Sequence, residues 1–287
     1  MEQRKDEKEK SIWYKIQSID VKWIYLIQMI VISYPLLRPI GLPLGTISEE
    51  TMGIYNYLNN LPEGSIVLHC VNMGPTAAAE CLPGLIAIVR HNVELGHRLI
   101  FYTNTATGVP YIEEAARAAL GTELRDHPDY GTKYVNIGYI PQGTTGFSGF
   151  AADIFFTTTD AYGNDLKTTF FKDLPTKTAA DFDFGITYGS GNFAWIITYL
   201  RDPWGVPCGG GIAAGLAADA YAYYPEKTPG FLVGLRGGAE YELLIKKPGL
   251  AAAGMDAQSL AHLSIIIMVI IGNIGYFAAR ARGRGGE

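Results

Sequence analysis

Five short stretches of the sequence carry the residues whose types could do chemistry. They cover 72–80, 103–110, 140–149, 188–192 and 208–215, and they are rich in Gly, Thr, Ser and Asn, with Glu80 as their only charged residue. Small residues let a ligand approach the backbone, and helix starts offer free N–H donors to anions. We therefore expect a pocket for a small polar or anionic ligand. The candidate ligand-binding residues are Asn72, Thr76, Glu80, Asn104, Gln142, Ser190, Asn192, Gly209, Gly210 and Gly211.

Three motifs in these stretches resemble known sites, and each departs from its pattern. The segment 209–214, "GGGIAA", matches the first part of a dinucleotide-binding loop but follows the last predicted strand rather than the first. The segment 143–149, "GTTGFSG", lacks the Lys of a phosphate-binding P-loop. Ser190 in "TYGSGN" lies between a strand and a helix, as a hydrolase nucleophile does, yet Tyr188 stands where that turn needs Gly. Every doubly wound fold needs such turns, so a purely structural role stays open.

Glu80 and Ser190 each have two interpretations. Glu80 could act as a general base at a junction of loop and helix, or it could be an acid stabilised by a helix that starts near Thr76. Ser190 could be a nucleophile, although a helix-capping or ligand-contacting role fits its neighbours better. Whether the chain is an enzyme stays open at this stage.

Composition limits the remaining classes of function. The chain has 287 residues with a net charge of −5, and its Lys and Arg cluster only at the two ends, so the sequence predicts no nucleic-acid partner. Its three cysteines, at 70, 81 and 208, have no zinc-binding spacing, and its five histidines form no metal motif. We expect no metal site, and the sequence names no cofactor.

The pattern of apolar runs predicts the fold class. Strands are expected at 65–71, 98–104, 133–140, 181–189 and 205–212, and helices at 48–61, 83–96, 110–121, 149–158, 192–202, 214–224 and 230–247. This alternation predicts an α/β fold with a doubly wound, mostly parallel five-stranded sheet of the Rossmann-like type. The loop-like stretch 159–179 is unusually long, which indicates a functional segment or one that packs against a partner.

Both ends of the chain have apolar segments that could cross a membrane. Leu260–Ala279 contains no charged residue, shows no polar face and is followed by Arg280, Arg282 and Arg284, so it is unlike an amphipathic core helix. Near the N-terminus, Trp23–Leu37 is uncharged but short, and a full span needs the apolar segment to continue past Arg38. A cleaved signal peptide is the alternative there, although the following sequence offers a poor cleavage site.

The distribution of Lys and Arg then predicts the topology. Six basic residues precede the first span and three follow the second, which places both termini in the cytoplasm. The predicted organisation is a charged cytoplasmic tail (1–22), a first span (23–44), an extracytoplasmic α/β domain (45–257), a second span (258–279) and a basic cytoplasmic tail (280–287). Asp256 is expected to cap the second span, and Arg236 and Glu240 to form a surface pair.

The expected partners are the lipid bilayer and another transmembrane helix. Polar and small residues mediate helix contacts in lipid. The candidates for a contact between the spans, or with a homo- or hetero-oligomeric partner, are Gln28, Gly272, Asn273 and Gly275.

The order of four segments resembles a known group of proteins. These are "LLRPIGLP", "EGSIVL…MGPTAAAE…IVRH", "GLRGGAEYELL" and "AGMDAQSLAHLSIIIMVIIGNIGYF", and the resemblance runs from about residue 23 to 279. It is to an uncharacterised family of prokaryotic membrane proteins with one transmembrane helix at each end and a Rossmann-like middle domain. The resemblance implies an architecture but no activity and no catalytic residue.

The sequence therefore supports two main hypotheses. The first is a membrane-anchored module that binds a small ligand or serves as a subunit of a membrane protein complex. The alternative is a membrane-bound hydrolase or transferase whose site lies at the carboxyl ends of the strands, around Glu80, Asn104, Gln142 and Ser190. A purely structural scaffold is a third possibility.

Overall fold

The structure, a computed structural model, describes residues 19–284. Contacts define two compact units, Pro43–Ala252 and the pair of terminal segments Met1–Leu42 and Ala253–Glu287. Of the predicted tails, 1–22 and 280–287, residues 1–18 and 285–287 lie outside the described residues, as do the side chains of 281–284.

The unit Pro43–Ala252 is built on a parallel sheet whose strand order is β3-β2-β1-β4-β5-β6. The strands are β1 (Ile66–Asn72), β2 (Arg98–Thr103), β3 (Tyr134–Tyr139), β4 (Phe184–Gly189), β5 (Cys208–Ile212) and β6 (Phe231–Val233). The predicted parallel α/β sheet is confirmed, and this order is that of a doubly wound Rossmann sheet. The predicted number of five strands is wrong, because Phe231–Val233, expected to begin a helix over 230–247, pairs with β5 instead.

The described part of the chain contains helices in both compact units. They are α1 (Val21–Leu37), α2 (Glu49–Asn60), α3 (Pro75–Glu94), α4 (Val109–Leu120), α5 (Gly143–Ala152), α6 (Ala194–Ile196), α7 (Asp202–Trp204), α8 (Ala217–Tyr221), α9 (Gly234–Leu244) and α10 (Leu250–Arg284), with a π-helical turn (Ile197–Arg201) between α6 and α7. The largest errors in the predicted helix starts are at α3 and α5. Helix α3 begins at Pro75 rather than Pro83, which lies inside it, and α5 begins at Gly143 rather than 149.

Both faces of the sheet are buried, as a covered parallel sheet requires. Val67 and Val71 of β1 point to the face covered by α2, α3, α4 and α9. Leu68 and Cys70 point to the other face, which is covered by α5, α6 and the long segment around 166–182. The helix that follows β1 and the helix that follows β4 therefore lie on opposite faces.

The long stretch 159–179, expected to be functional or to contact a partner, packs on its own sheet. Leu166 and Phe171 are fully buried in the core, and Ala161 N–H donates to Asn136 O on edge strand β3 at 2.8 Å. Asp160 holds the turn by accepting from the Tyr130 hydroxyl at 2.6 Å and from two backbone N–H groups of the turn. The segment thus covers an edge that would otherwise expose unpaired backbone groups.

Buried carboxylates fix the elements around α9. Glu240, predicted to form a surface pair, is only 1% exposed and accepts from the Ser48 hydroxyl at 2.7 Å as well as from Arg236 Nε at 2.8 Å. Glu242 accepts from the backbone N–H groups of Gly249, Ala251 and Ala252 at 2.8–3.0 Å. It therefore caps the start of α10, whose first N–H groups have no partner within the helix.

In the terminal unit, α10 contains the apolar stretch Leu250–Ala278, which is long and apolar enough to cross a membrane. The predicted first span, 23–44, is wrong beyond Leu37, because α1 ends there after 17 residues and Arg38 is extended with φ −142°. Asp256 does not cap a helix, since it lies inside α10 and accepts from the N–H groups of Ile40, Gly41 and Leu42 at 2.7–2.8 Å.

Strand β5 is glycine-rich because aromatic rings occupy the space of its side chains. A Cβ built on Gly209, Gly210 or Gly211 would lie 2.7–2.9 Å from a ring atom of Phe184, Phe193 or Tyr188, respectively. These distances are shorter than a carbon–carbon contact allows. The glycines therefore let the rings pack directly against the backbone of the strand.

We predict that Gly211→Ala lowers the free energy of unfolding by about 1–3 kcal/mol, because the added methyl overpacks a filled core. Gly215→Ala is the matched control, since a Cβ there meets nothing within 4 Å. Thermal or urea unfolding of the full chain in detergent measures both. Equal stability of the two variants would contradict this account of β5.

Candidate functional site

The sheet has its topological switch point between β1 and β4, the position where doubly wound folds bind ligands. Asn72 and Gly189, the last residues of the two strands, are paired in register. Gly189 has φ +140°, and a Cβ there would lie 2.1 Å from Asn72 O. Only a residue without a side chain allows the two strand ends to lie this close.

Asn72 presents an unpaired donor at this point. Its Oδ1 accepts from the backbone N–H of Asn104 at 2.9 Å, which fixes the orientation of the amide. Its Nδ2 is buried and has no hydrogen-bond partner in the described part of the chain. Leaving a buried donor unpaired costs about 1–3 kcal/mol, so an incoming acceptor would be stabilised here.

Helix α3 starts directly beside Asn72. Its N-cap is Gly74, which offers no side-chain cap, and Pro75 occupies the first turn. The Thr107 hydroxyl donates to Met73 O at 3.3 Å and holds the turn that leads into the helix. Because the first N–H groups of a helix have no partner within it, the exposed first turn at Thr76 presents donors and the positive end of the helix dipole.

Glu80 is used as a backbone acceptor. Its Oε2 accepts from the N–H of Ala214 at 2.8 Å, which ties α3 to the loop that follows β5. In the part of the chain that the structure describes, the Ala214 N–H is the only hydrogen-bond partner of this carboxylate. The geometry favours a positioning role over that of a general base.

The loop after β4 contains Ser190 and Asn192, both exposed. Asn192 Oδ1 accepts from Ala194 N–H at 2.6 Å, and Asp219 of α8 accepts from Phe193 N–H at 2.6 Å. None of the five histidines lies in a loop that follows a strand, so no imidazole is placed to activate Ser190. Hydrogen bonds thus fix the end of this loop at Phe193 and Ala194, and the Ser190 hydroxyl near its start is exposed.

Cys81 lies beneath the switch point on α3. Its Sγ is 3.8 Å from Gly189 O, and burial raises the pKa of the thiol to about 12. The thiol is therefore protonated at neutral pH and acts as a weak donor, because only the thiolate is a good nucleophile.

The predicted site residues fall into two groups. Asn72, Thr76, Asn104 and Ser190 lie at the carboxyl ends of β1, β2 and β4 or in the turns next to them, and Glu80 and Asn192 fix the neighbouring loops. Gln142 follows edge strand β3, which is separated from β1 by β2. Gly209–211 lie inside β5 against aromatic rings rather than in a loop.

Sequence analysis missed three residues that shape this site. Thr107 and Asp219 act through backbone groups distant in sequence, and no local pattern marks Asp219. Gly189 was visible only as one glycine among several, and its role depends on the neighbouring strand. The stretch "TNTATG" does show a run of small hydroxyl side chains after β2, which is the available signal for Thr107.

No group of His, Cys, Asp and Glu in residues 19–284 is arranged to hold a metal ion. No protein-family model matches the chain, and neither the curated proteins nor the solved structures contain a significant match to it. The resemblance to a membrane-protein family therefore stays a prediction, and function must be argued from geometry.

We predict that Glu80→Ala lowers the unfolding temperature by about 2–4 °C, because Ala214 N–H loses its partner at a cost of about 1 kcal/mol. Glu80→Gln keeps an acceptor oxygen and should unfold within about 1 °C of the wild type. Differential scanning fluorimetry of the two variants is the measurement. A Glu80→Gln variant as unstable as Glu80→Ala would contradict the positioning role.

Proposed function

We propose that the chain is a membrane-anchored module that binds a small polar or anionic ligand at the switch point between β1 and β4. The observation that carries this proposal is the unpaired, buried Nδ2 of Asn72 beside the uncapped first turn of α3. Both present hydrogen-bond donors at the same strand end.

The donors and acceptors at this edge indicate the class of ligand. The acids Glu80 and Asp219 already accept backbone N–H groups, so their charge serves the fold. The groups left are the Asn72 amide, the first-turn N–H groups of α3 and the Ser190 hydroxyl. A ligand rich in acceptors, such as a carboxylate or a phosphate, fits them. No Lys or Arg lies in the stretches after the strands, which favours a ligand of low charge.

The surface of α10 supports the membrane anchor. The stretch Leu250–Ala278 has 29 residues, a most apolar window of mean hydropathy 2.0, and little of that window is buried. Ile266 and Phe277 are more than half exposed. A helix of this length reaches about 43 Å, which exceeds the roughly 30 Å of a bilayer's hydrocarbon core. In a membrane, lipid would cover these apolar side chains, which are unfavourable in water.

A polar contact supports α1 as a second membrane segment. The Ser264 hydroxyl donates to Gln28 Oε1 at 2.9 Å, so polar groups of the two apolar helices satisfy each other. Polar pairs of this kind stabilise helix contacts in lipid. Helix α1 is about 26 Å long, and flanking residues would have to complete its span. The basic residues at the two chain ends support an extracytoplasmic position of the α/β domain.

A role as a subunit of a membrane protein complex is the second candidate. Gly272 and Asn273 are exposed on α10, whereas Gln28 is already engaged and Gly275 is buried. An amide that faces lipid is costly unless another helix supplies a partner. Asn273 therefore marks the surface where another transmembrane helix would bind.

A membrane-bound hydrolase or transferase is less well supported. Ser190 is exposed at the right kind of junction, but the described residues provide it with no base. Glu80 is held by Ala214.

We predict that at least one class of small carboxylate or phosphate raises the unfolding temperature of the full chain in detergent, and that Asn72→Asp abolishes this effect. A ligand at 100 times its Kd adds about 2.7 kcal/mol to stability. The new carboxylate keeps the acceptor for Asn104 N–H but repels an anion and occupies the donors of α3. Thermal unfolding against ligand panels is the measurement.

Asn56→Asp is the matched control for this substitution, since it makes the same charge change at an exposed position of α2. The proposal fails if no ligand stabilises the wild type, or if Asn72→Asp responds as Asn56→Asp does.

We predict that a cysteine introduced at exposed Ala180 reacts with a membrane-impermeant maleimide in sealed cells. The native Cys70, Cys81 and Cys208 are all buried, so the wild type gives little background. Gly286→Cys, in the basic tail, should react only after permeabilisation. The reverse pattern of labelling would contradict the topology.

A further inference from the structure

A cleft at the other end of the strands gathers charged groups that the proposed function does not use. It has a volume of about 430 Å³ and lies at the amino ends of β1, β2 and β3, opposite the switch point. This volume is in the range of small-molecule sites. One wall consists of residues 168–173, so the long segment that covers β3 also forms part of the cleft.

Arg98, the first residue of β2, is held in place within this cleft. Its Nε donates to Gly64 O at 3.0 Å, and its guanidinium lies 5.4 Å from the centre of the buried Phe170 ring. The hydrogen bond to Gly64 fixes the direction of the Arg98 side chain, and the contact with the Phe170 ring fixes the position of its guanidinium group. The terminal nitrogens remain available as the planar donor pair that suits a phosphate or carboxylate.

Two lysines add to the positive charge. Lys133 forms an exposed pair with Asp129 at 3.3 Å, which contributes little and leaves the ammonium able to bind elsewhere. Within the described residues, no carboxylate lies within salt-bridge distance of Lys172 or Arg98. The cleft thus offers two cations without a carboxylate partner, which matches the charge of a phosphate monoester.

The remaining polar groups are acceptors. The hydroxyls of Thr132 and Thr168 donate to backbone carbonyls at 2.7–3.0 Å, so their oxygens keep free lone pairs. The buried Thr169 hydroxyl donates to Leu166 O and already accepts from Phe171 N–H at 3.3 Å. Glu63 and Asp173 also line the cleft and add carboxylate acceptors. Such groups bind the hydroxyls of a ligand. The two carboxylates also repel anions, so an anion without hydroxyl groups should bind this cleft less tightly.

A second cleft serves as a comparison. It has about 460 Å³ and lies at the amino ends of β5 and β6. Its charges pair with one another, since Asp202 accepts from Lys227 Nζ at 2.9 Å and from Arg201 at 3.0 Å. The hydrogen bond from Lys227 is the main cause that lowers the pKa of Asp202. This cleft has no comparable cation left for a ligand.

We propose that the cleft at Arg98 and Lys172 binds a sugar phosphate. Arg98 and Lys172 hold the phosphate, and the threonine and carboxylate oxygens accept the hydroxyls of the sugar. This site is separate from the one at the switch point, and neither depends on the other.

The test is calorimetric titration of the full chain in detergent micelles with ribose 5-phosphate, inorganic phosphate and ribose, at constant ionic strength. Ribose 5-phosphate should bind most tightly. Lys172→Gln and Arg98→Lys should each weaken it at least tenfold, the second because the charge remains but the planar donor pair is lost. Lys167→Gln is the matched control on the same segment, since Lys167 is exposed and does not line the cleft, and its effect should stay within twofold.

Any of four results would overturn the proposal. One is no saturable binding of ribose 5-phosphate to the wild type. Another is equal weakening by Lys172→Gln and Lys167→Gln, which would reflect net charge alone. The third is inorganic phosphate binding as tightly as ribose 5-phosphate. Asn72→Asp should leave this affinity unchanged, and its loss there would assign the ligand to the switch point instead.

Discussion

The close contact between the ends of β1 and β4 is the constraint on which the rest of the domain depends. Gly189 has no side chain, and its backbone can therefore lie against Asn72 where the strand order reverses. The helices that follow these strands leave to opposite faces of the sheet. The crevice between them, the buried Asn72 amide and the exposed start of α3 all follow from that divergence.

Several acidic side chains in this protein accept hydrogen bonds from backbone N–H groups. Glu80 and Asp219 hold loops beside the switch point, Glu242 caps the start of α10, and Asp256 binds three N–H groups after α1. Each carboxylate replaces hydrogen bonds that a loop or a helix end would otherwise lack. Glu80, the acid that the sequence offers as a general base, is thus explained by its hydrogen bond to the backbone of Ala214.

The fold was predictable because its signals are local. Apolar runs such as 66–68 identified strands, and their alternation with helical patterns predicted the parallel sheet. The sixth strand was not predictable from its three residues, since only pairing with β5 distinguishes "FLV" from the start of a helix. The same limit applies to the site. Asn72 and Ser190 are candidates because of their place after strands, whereas Thr107 and Asp219 act through contacts between distant segments. The glycines of β5 look like a loop until the aromatic rings that cover them are known.

The turn that places Ala161 against β3 affects how copies of this chain could associate through their sheets. Proteins confined to a bilayer encounter one another in two dimensions, where an open strand edge would readily recruit a neighbour into a continuous sheet. The Ala161 N–H already donates to the carbonyl of Asn136 on this edge. If α10 holds the chain in a bilayer, as proposed, crowding in its plane should therefore not lead to strand exchange at Asn136 of β3.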